Sequence, residues 1–353
     1  MREYLALNQG ALDLLYAGAQ LKRARFHINW NEFGSFLNHL SPLRHALRLL
    51  KLDALRHVLD QNAGEATHSL VAATQVAESL AADPSITSNL VFHGLAGIVL
   101  SGYEEVLSRI TLSPGQLQQL QDALNRPSLT TLSAMEHAIA GEAAFLERPE
   151  DTLVRASRQG TPTSFIYATG WTLFAALRLA GVRAFTDIAD GRTLIDVLEW
   201  AHVPPAQLAE SLRPDATEES PLAVRPEPDV EVTRAAFSQY YAQGYMYEGI
   251  YRGALLTMAT TALAQAALAV ERYDRATGEW PERIDAVVPK YLDAVPEDPF
   301  TGAPIRFRKT DTGYLLYSAG WNCRDDGGIP PPEGKGWWGG GDVLFEVRTA
   351  GRS

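Results

Sequence analysis

From Val232 to Arg275 the chain contains no proline, and its second half, Gly253 to Val270, is Ala- and Leu-rich and uncharged. A stretch of that length exceeds any ordinary strand. It predicts one long helix, stopped at Gly278 because glycine accepts the left-handed conformation that ends a helix. Gly253–Val270 just reaches the length of a membrane span. It also holds three Thr and a Gln, and it reads as a buried helix. Everything before this helix repeats at helical spacing, whereas everything after it is broken by Gly, Pro and Asp.

Upstream, Ser41-Pro42, Asp83-Pro84 and Ser113-Pro114 each place a capping side chain before a proline suited to the first helical position. Apolar residues follow in register: Leu43, Ala46, Leu47, Leu50; then Leu70, Ala73, Val76, Leu80; then Ile86, Leu90, Val91, Leu95, Ile98, Val99. Further helices are expected near 129–147, 164–188 and 192–201. Such succession makes a bundle or a short solenoid. Residues 213–230 hold four prolines and an acidic excess and read as a linker or long loop. The expected organisation is an all-helical domain over 1–212, that linker, and 231–353 as the long helix plus a small α+β domain. The fold class is therefore mainly α with a small α+β C-terminal domain.

Downstream, a short helix is expected near Glu282–Val288 and a turn at Pro296–Pro299. Ile305–Arg308, Tyr314–Ser318 and Val343–Val347 have strand character. Asp311-Thr312-Gly313 suits a tight hairpin between the first two, which gives a three-stranded antiparallel sheet. Gly327 to Gly341 has too many Gly and Pro residues for a strand.

The order of motifs from Glu271 to Val347 carries a resemblance. It runs Glu271-Arg272-Tyr273, Gly278-Glu279-Trp280-Pro281, Val288-Pro289-Lys290-Tyr291-Leu292 and Pro296-Glu297-Asp298-Pro299-Phe300. It continues through Gly313–Gly320 and Asn322-Cys323-Arg324-Asp325-Asp326-Gly327-Gly328 to Asp342-Val343. This resembles the globular domain of the major pseudopilin of type II secretion systems. The resemblance implies a cell-envelope or periplasmic protein without catalytic residues, and a calcium ion in the Gly/Asp loop. Ala319 would supply a carbonyl, Asn322 stands where the first Asp is expected, and Asp342 stands where the last one is. Asp325 and Asp326 lie where the family is less regular. This chain departs by the Asn at 322, by a longer Gly loop, and by an insert with Pro330-Pro331-Pro332 and Trp337-Trp338. Those two indoles either form a contact surface or fold back to seal the sheet. Pseudopilins carry an N-terminal membrane helix. Tyr4–Leu21 is instead amphipathic, with Asn8, Gln9 and Asp13, so two readings stand: a membrane anchor in a segment outside this sequence, or a family that has lost that helix.

Other chemistry is weakly supported. A net charge of −11 argues against nucleic acid, which needs a basic stripe. Lys22-Arg23-Ala24-Arg25 is short and reads as the solvated last turn of the first helix. Cys323 is the single cysteine; it permits no intrachain disulfide, leaves the compartment open, and reads as an inert loop residue among acids. His27, His39, His45, His57, His68, His93, His137 and His202 show no zinc spacing and read as structural. The pairs Glu104-Glu105 and Glu218-Glu219 are sequence neighbours, not carboxyls facing across a cleft. Gly160-Thr161-Pro162-Thr163-Ser164 lacks the lysine of a phosphate loop. The leading expectation is a non-catalytic envelope protein whose helical domain scaffolds or binds a protein partner. The alternatives are an enzyme or lipid-binding protein with an apolar pocket in the helical domain, and a cytosolic helical interaction module.

Overall fold

The computed structural model describes residues 1–21, 23–27, 37–146, 203–211, 213, 234–333 and 340–349, with backbone alone over 142–146, 211 and 234–248. The expected helices at 164–188 and 192–201, the 213–230 linker beyond Arg213, Gly160–Ser164, Glu218-Glu219 and Trp337-Trp338 lie outside the described residues.

The chain is mostly helical. Labelled in chain order, the described helices are α1 (Arg2–Leu7), α2 (Gln9–Ala19), α3 (Leu40–Leu59), α4 (Ala63–Ala81), α5 (Ile86–Arg109), α6 (Pro114–Leu124), α7 (Pro127–Thr130), α8 (Ser133–Leu146), α9 (Pro205–Ser211) and α10 (Arg234–Thr277). The stripes read from the sequence form the core. Leu47, Leu50, Leu70, Ala73, Val76, Leu80, Leu95 and Val99 are all buried. Helices α3, α4 and α5 pack on one another, and α10 lies against α5 and α6. From Leu263 to Val270, α10 is buried nearly all round. Its alanines let neighbours approach on every side, and a helix apolar all round belongs in a core or a bilayer. Two described stretches, Ile86–Arg109 and Gly249–Thr277, are long and apolar enough to cross a membrane; in this fold both pack within the body.

Two of the three proline-marked starts differ from expectation. At Ser113-Pro114 the capping box forms, with Ser113 Oγ accepting from the Gln116 N–H and Gln116 Oε1 accepting from the Ser113 N–H. Helix α3 instead begins at Leu40, with Ser41 and Pro42 inside its first turn. A proline there has no intrahelical N–H bond to lose. Helix α5 begins at Ile86, after Asp83-Pro84. Asp83 is buried, with its carboxylate on the Ser88 hydroxyl (2.7 Å) and the His39 ring (2.9 Å). Tertiary hydrogen bonds took the carboxylate that local sequence assigns to a cap. The basic run also differs: α2 ends at Ala19, so Arg23–Arg25 follow the helix rather than finishing it, and Lys22 lies outside the described residues.

The sheet is β1 (Arg306–Thr310), β2 (Gly313–Ser318) and β3 (Val343–Arg348), antiparallel in the order β1-β2-β3. A single 3-10 turn, Ile284–Val287, stands where the short helix was expected. Gly278, at φ 85, ends α10 as read. The inner face of the sheet, Tyr314, Leu316, Phe345 and Val347, is buried against α10. There the Tyr314 hydroxyl lies 3.2 Å from the Ala267 carbonyl and 3.0 Å from Glu271 Oε1. Gly313 opens β2 opposite Thr310, which leaves Asp311-Thr312 as the turn. The glycine is required from across the sheet: a Cβ there would stand 1.8 Å from the Val347 carbonyl oxygen.

The free edge of β3 meets α5. The Glu346 N–H donates to Glu104 Oε1 (2.8 Å), the Ser108 hydroxyl donates to the Glu346 carbonyl (3.4 Å), and the Arg348 N–H donates to Ser108 Oγ (3.3 Å). Helix side chains thus satisfy a strand edge that would otherwise invite pairing.

Candidate functional site

The stretch from Asn322 to Asp342 leaves the end of β2 and returns to the start of β3. Its two ends must nearly touch. Gly320 (φ 55) makes this possible, since a Cβ there would lie 2.2 Å from the Gly341 carbonyl oxygen. Between these ends the loop folds back over the outer face of the sheet. The Gly327 carbonyl accepts from Arg308 Nη1 (2.9 Å), and Gly328 lies against Leu315 and Tyr317. That cover explains why β2 is apolar on both faces.

Carboxylates hold the loop. Asp342 is buried; Oδ1 accepts from the Asp326 N–H (3.2 Å) and Oδ2 from the Gly328 N–H (2.6 Å). Its own N–H donates to the Ile329 carbonyl (2.7 Å). Asp326 Oδ2 accepts from Asn322 Nδ2 (2.6 Å), and Asn322 Oδ1 accepts from the Arg324 N–H (3.1 Å). Asp325 turns the other way, accepting from Arg306 Nε (2.8 Å) and the Gly327 N–H (2.9 Å). Burial raises the Asp342 carboxyl above its ordinary range. The amides of Asp326 and Gly328 oppose this shift, and the charges of Asp326 and Asp325 reinforce it.

One residue absent from the expected site is its base. Asp298 is fully buried, and four donors converge on its carboxylate. Oδ1 takes the Phe300 N–H (2.9 Å) and the Ser318 hydroxyl (2.8 Å). Oδ2 takes the Ala319 N–H (2.9 Å) and Arg306 Nη1 (3.0 Å). Arg306 therefore bridges Asp298 to Asp325, and Ala319 is held through its amide. Asp298 was visible in the sequence only as the Asp-Pro of a turn. The signal that identifies it is the strand-end Ser318-Ala319, which needs a buried acceptor once β2 is central.

The structure thus brings Asn322, Asp326 and Asp342 together, sets Ala319 at the base and directs Asp325 to Arg306. Calcium takes six to eight oxygens from carboxylates, amide oxygens and backbone carbonyls. The converging donors are of that hard-oxygen type, and two are carboxylates. Asn322 presents its Nδ2 to Asp326, so ligation requires that amide to turn over. Among the described residues, no group of three or more His, Cys, Asp or Glu is placed as a metal cluster. Any ion here would rest on Asp326, Asp342, the Asn322 oxygen and backbone carbonyls together.

The remaining titratable clusters are tied into the helical body. Asp53 accepts from Ser69 (3.2 Å) and from Arg56 Nε (3.2 Å), and it lies 2.5 Å from the Tyr16 hydroxyl. His93 Nδ1 faces the Thr257 hydroxyl (3.0 Å), and burial lowers its pKa to about 3. Cys323, at φ 53, donates its N–H to the Gly320 carbonyl (3.1 Å) within the same turn. No family model matches this chain, and no curated protein or solved structure matches it at a significant level.

Proposed function

We propose that this chain is a non-catalytic cell-envelope protein whose C-terminal unit is pseudopilin-like and calcium-stabilised. The helical body around α10 would scaffold or receive a protein partner. The observation that carries the reading is the burial of Asp342 with Asp325 and Asp326 beside it, which raises its pKa. A buried carboxylate among other carboxylates is relieved either by a proton or by a cation. Among the described residues Asp325 has Arg306 as its cation, and none is placed on Asp342 or Asp326. A divalent ion seated there by hard oxygens supplies the missing charge and closes a long Gly-rich loop, whose ordering costs entropy. Calorimetric titration of the whole chain tests this. Calcium should bind once per chain, magnesium poorly because it demands a tighter octahedron, and Asp342→Asn should weaken binding at least tenfold. Equal heats for both ions, or none for calcium, would remove the proposal.

A further inference from the structure

The first two helices are apolar on two sides. Leu5, Leu12 and Ala19 are buried, with Leu15 and Tyr16 packed beside them, where α1 and α2 meet α3 and α4. Roughly 120° from the buried positions, at about 100° per residue, lie, as a second stripe, Tyr4 and Leu7 on α1 and Ala11, Leu14 and Gly18 on α2, and Leu21 follows just past α2. All six residues are exposed, Leu7 at 81% and Leu14 at 76%. Single exposed leucines are ordinary. A row of them at helical spacing is an interaction surface.

Charge identifies the partner. Residues 1–27 carry Arg2, Lys22, Arg23 and Arg25 against only Glu3 and Asp13, in a chain whose net charge is −11; Arg2 is paired with Asp60, which leaves the cations after α2 as the basic cluster. Arg23 and Arg25 are exposed just past the C-terminal end of the stripe. They are held there, because Phe26 stacks on His39 (4.4 Å between ring centroids) and His39 is bonded to Asp83. A basic cluster at the end of an exposed apolar stripe matches an anionic bilayer surface, where apolar side chains enter the acyl boundary and cations stay among the headgroups. A second copy of the chain fits less well. The stripe is interrupted at Asn8, between α1 and α2, and its central positions, Ala11 and Gly18, are too small to act as knobs.

We propose that the α1–α2 stripe and the Arg23–Arg25 segment attach this protein in-plane to anionic lipid. This inference goes beyond the calcium reading and depends on no residue of that loop. The test is flotation of the whole chain with mixed phosphatidylcholine–phosphatidylglycerol vesicles, against pure phosphatidylcholine. Wild type should bind the mixed vesicles, and binding should fall with salt. Each cation removed should cost about fivefold, so Arg23→Gln with Arg25→Gln should weaken binding about twenty-fivefold. Leu7→Ser with Leu14→Ser should weaken it by at least about tenfold, with unchanged circular dichroism because both side chains are exposed. Failure of wild type to bind, or equal binding by both double variants, would overturn the proposal. So would a lipid-free dimer that the leucine variant dissociates, since the stripe would then belong to a second copy.

Discussion

The helical body and the Asn322–Asp342 loop are ordered by different means. In the body, leucines and alanines at helical spacing bury one another, and polar groups such as Asp53 and Asp83 are closed off inside that packing. In the loop few apolar residues are available. Two buried carboxylates, Asp298 and Asp342, hold backbone amides that no strand or helix would satisfy. Apolar packing tolerates gradual change, since a trimmed leucine leaves a cavity that partly relaxes. A carboxylate holding several donors fails abruptly, because its removal leaves each donor buried and unpaired.

This contrast gives an ordered set of expectations. Asp298→Ala should be the most damaging single change, at about 3–5 kcal/mol, because it strands the Phe300 and Ala319 amides and the Ser318 hydroxyl and leaves Arg306 with Asp325 alone. Urea unfolding followed by Trp fluorescence measures it. A loss no larger than that of Leu70→Ala would mean the loop is held by packing after all.

Acid should separate the two regions. His93 is held neutral by burial, with its pKa at about 3 against the ordinary 6.5. The unfolded chain therefore takes up a proton that the body refuses, and stability falls as pH drops from about 6.5 towards 3. The loss through His93 should be on the order of 2 kcal/mol by pH 5. Asp342 has the opposite sign. Its folded pKa is raised, so the folded loop binds a proton before the unfolded chain does, and that stabilisation grows as pH falls through the raised value towards 3.8. His93→Gln should remove the acid loss in the body, and Asp342→Asn the acid gain in the loop. Melts across pH 4–7 that respond to neither substitution would erase the distinction.

A smaller effect belongs to the sheet edge. Burial raises the Glu104 carboxyl, the Glu346 amide opposes this, and the charges of Glu346 and Glu105 add to it while Lys51 lowers it. Glu104→Ala should cost about 1–2 kcal/mol by leaving the Glu346 N–H without its acceptor, and should speed hydrogen exchange at Glu346 in particular. Smallest is Ser113→Ala, at about 1 kcal/mol for the lost cap on α6, read as a shift in the urea midpoint.

The sequence was most legible where local chemistry and tertiary demand agree. The Ser113-Pro114 cap, the stop at Gly278 and all three strands follow from neighbours a few residues apart. Legibility failed wherever a polar group serves something distant. Local sequence places Asp83 at a cap, whereas in the fold it bonds to His39. Asp298 does open a turn, accepting the Gly302 N–H on its carbonyl, but nothing local shows that its carboxylate also serves Ser318, Ala319 and Arg306. The hairpin at Asp311-Thr312-Gly313 forms as read, but the demand on Gly313 from the Val347 carbonyl across the strands has no local mark. Nothing local marks which of four neighbouring oxygen-bearing side chains will meet, and Asp325, in line for the ion with Asn322, Asp326 and Asp342, is taken by Arg306. A carboxylate has the same local signature whether it caps, pairs or ligates; only its three-dimensional donors separate those roles.

The central claim is that the loop is closed by charge and completed by calcium. Differential melting of the whole chain, with calcium or with chelator, on wild type and on Asp342→Ala, tests it most directly. A ligand bound only to the folded state adds about 2.7 kcal/mol at a hundredfold excess over its Kd. Wild type should therefore melt several degrees higher with calcium, and Asp342→Ala should melt lower than wild type and ignore the ion. Identical melting in all four conditions would contradict the account and leave Asn322–Asp342 as an ordinary glycine-rich turn.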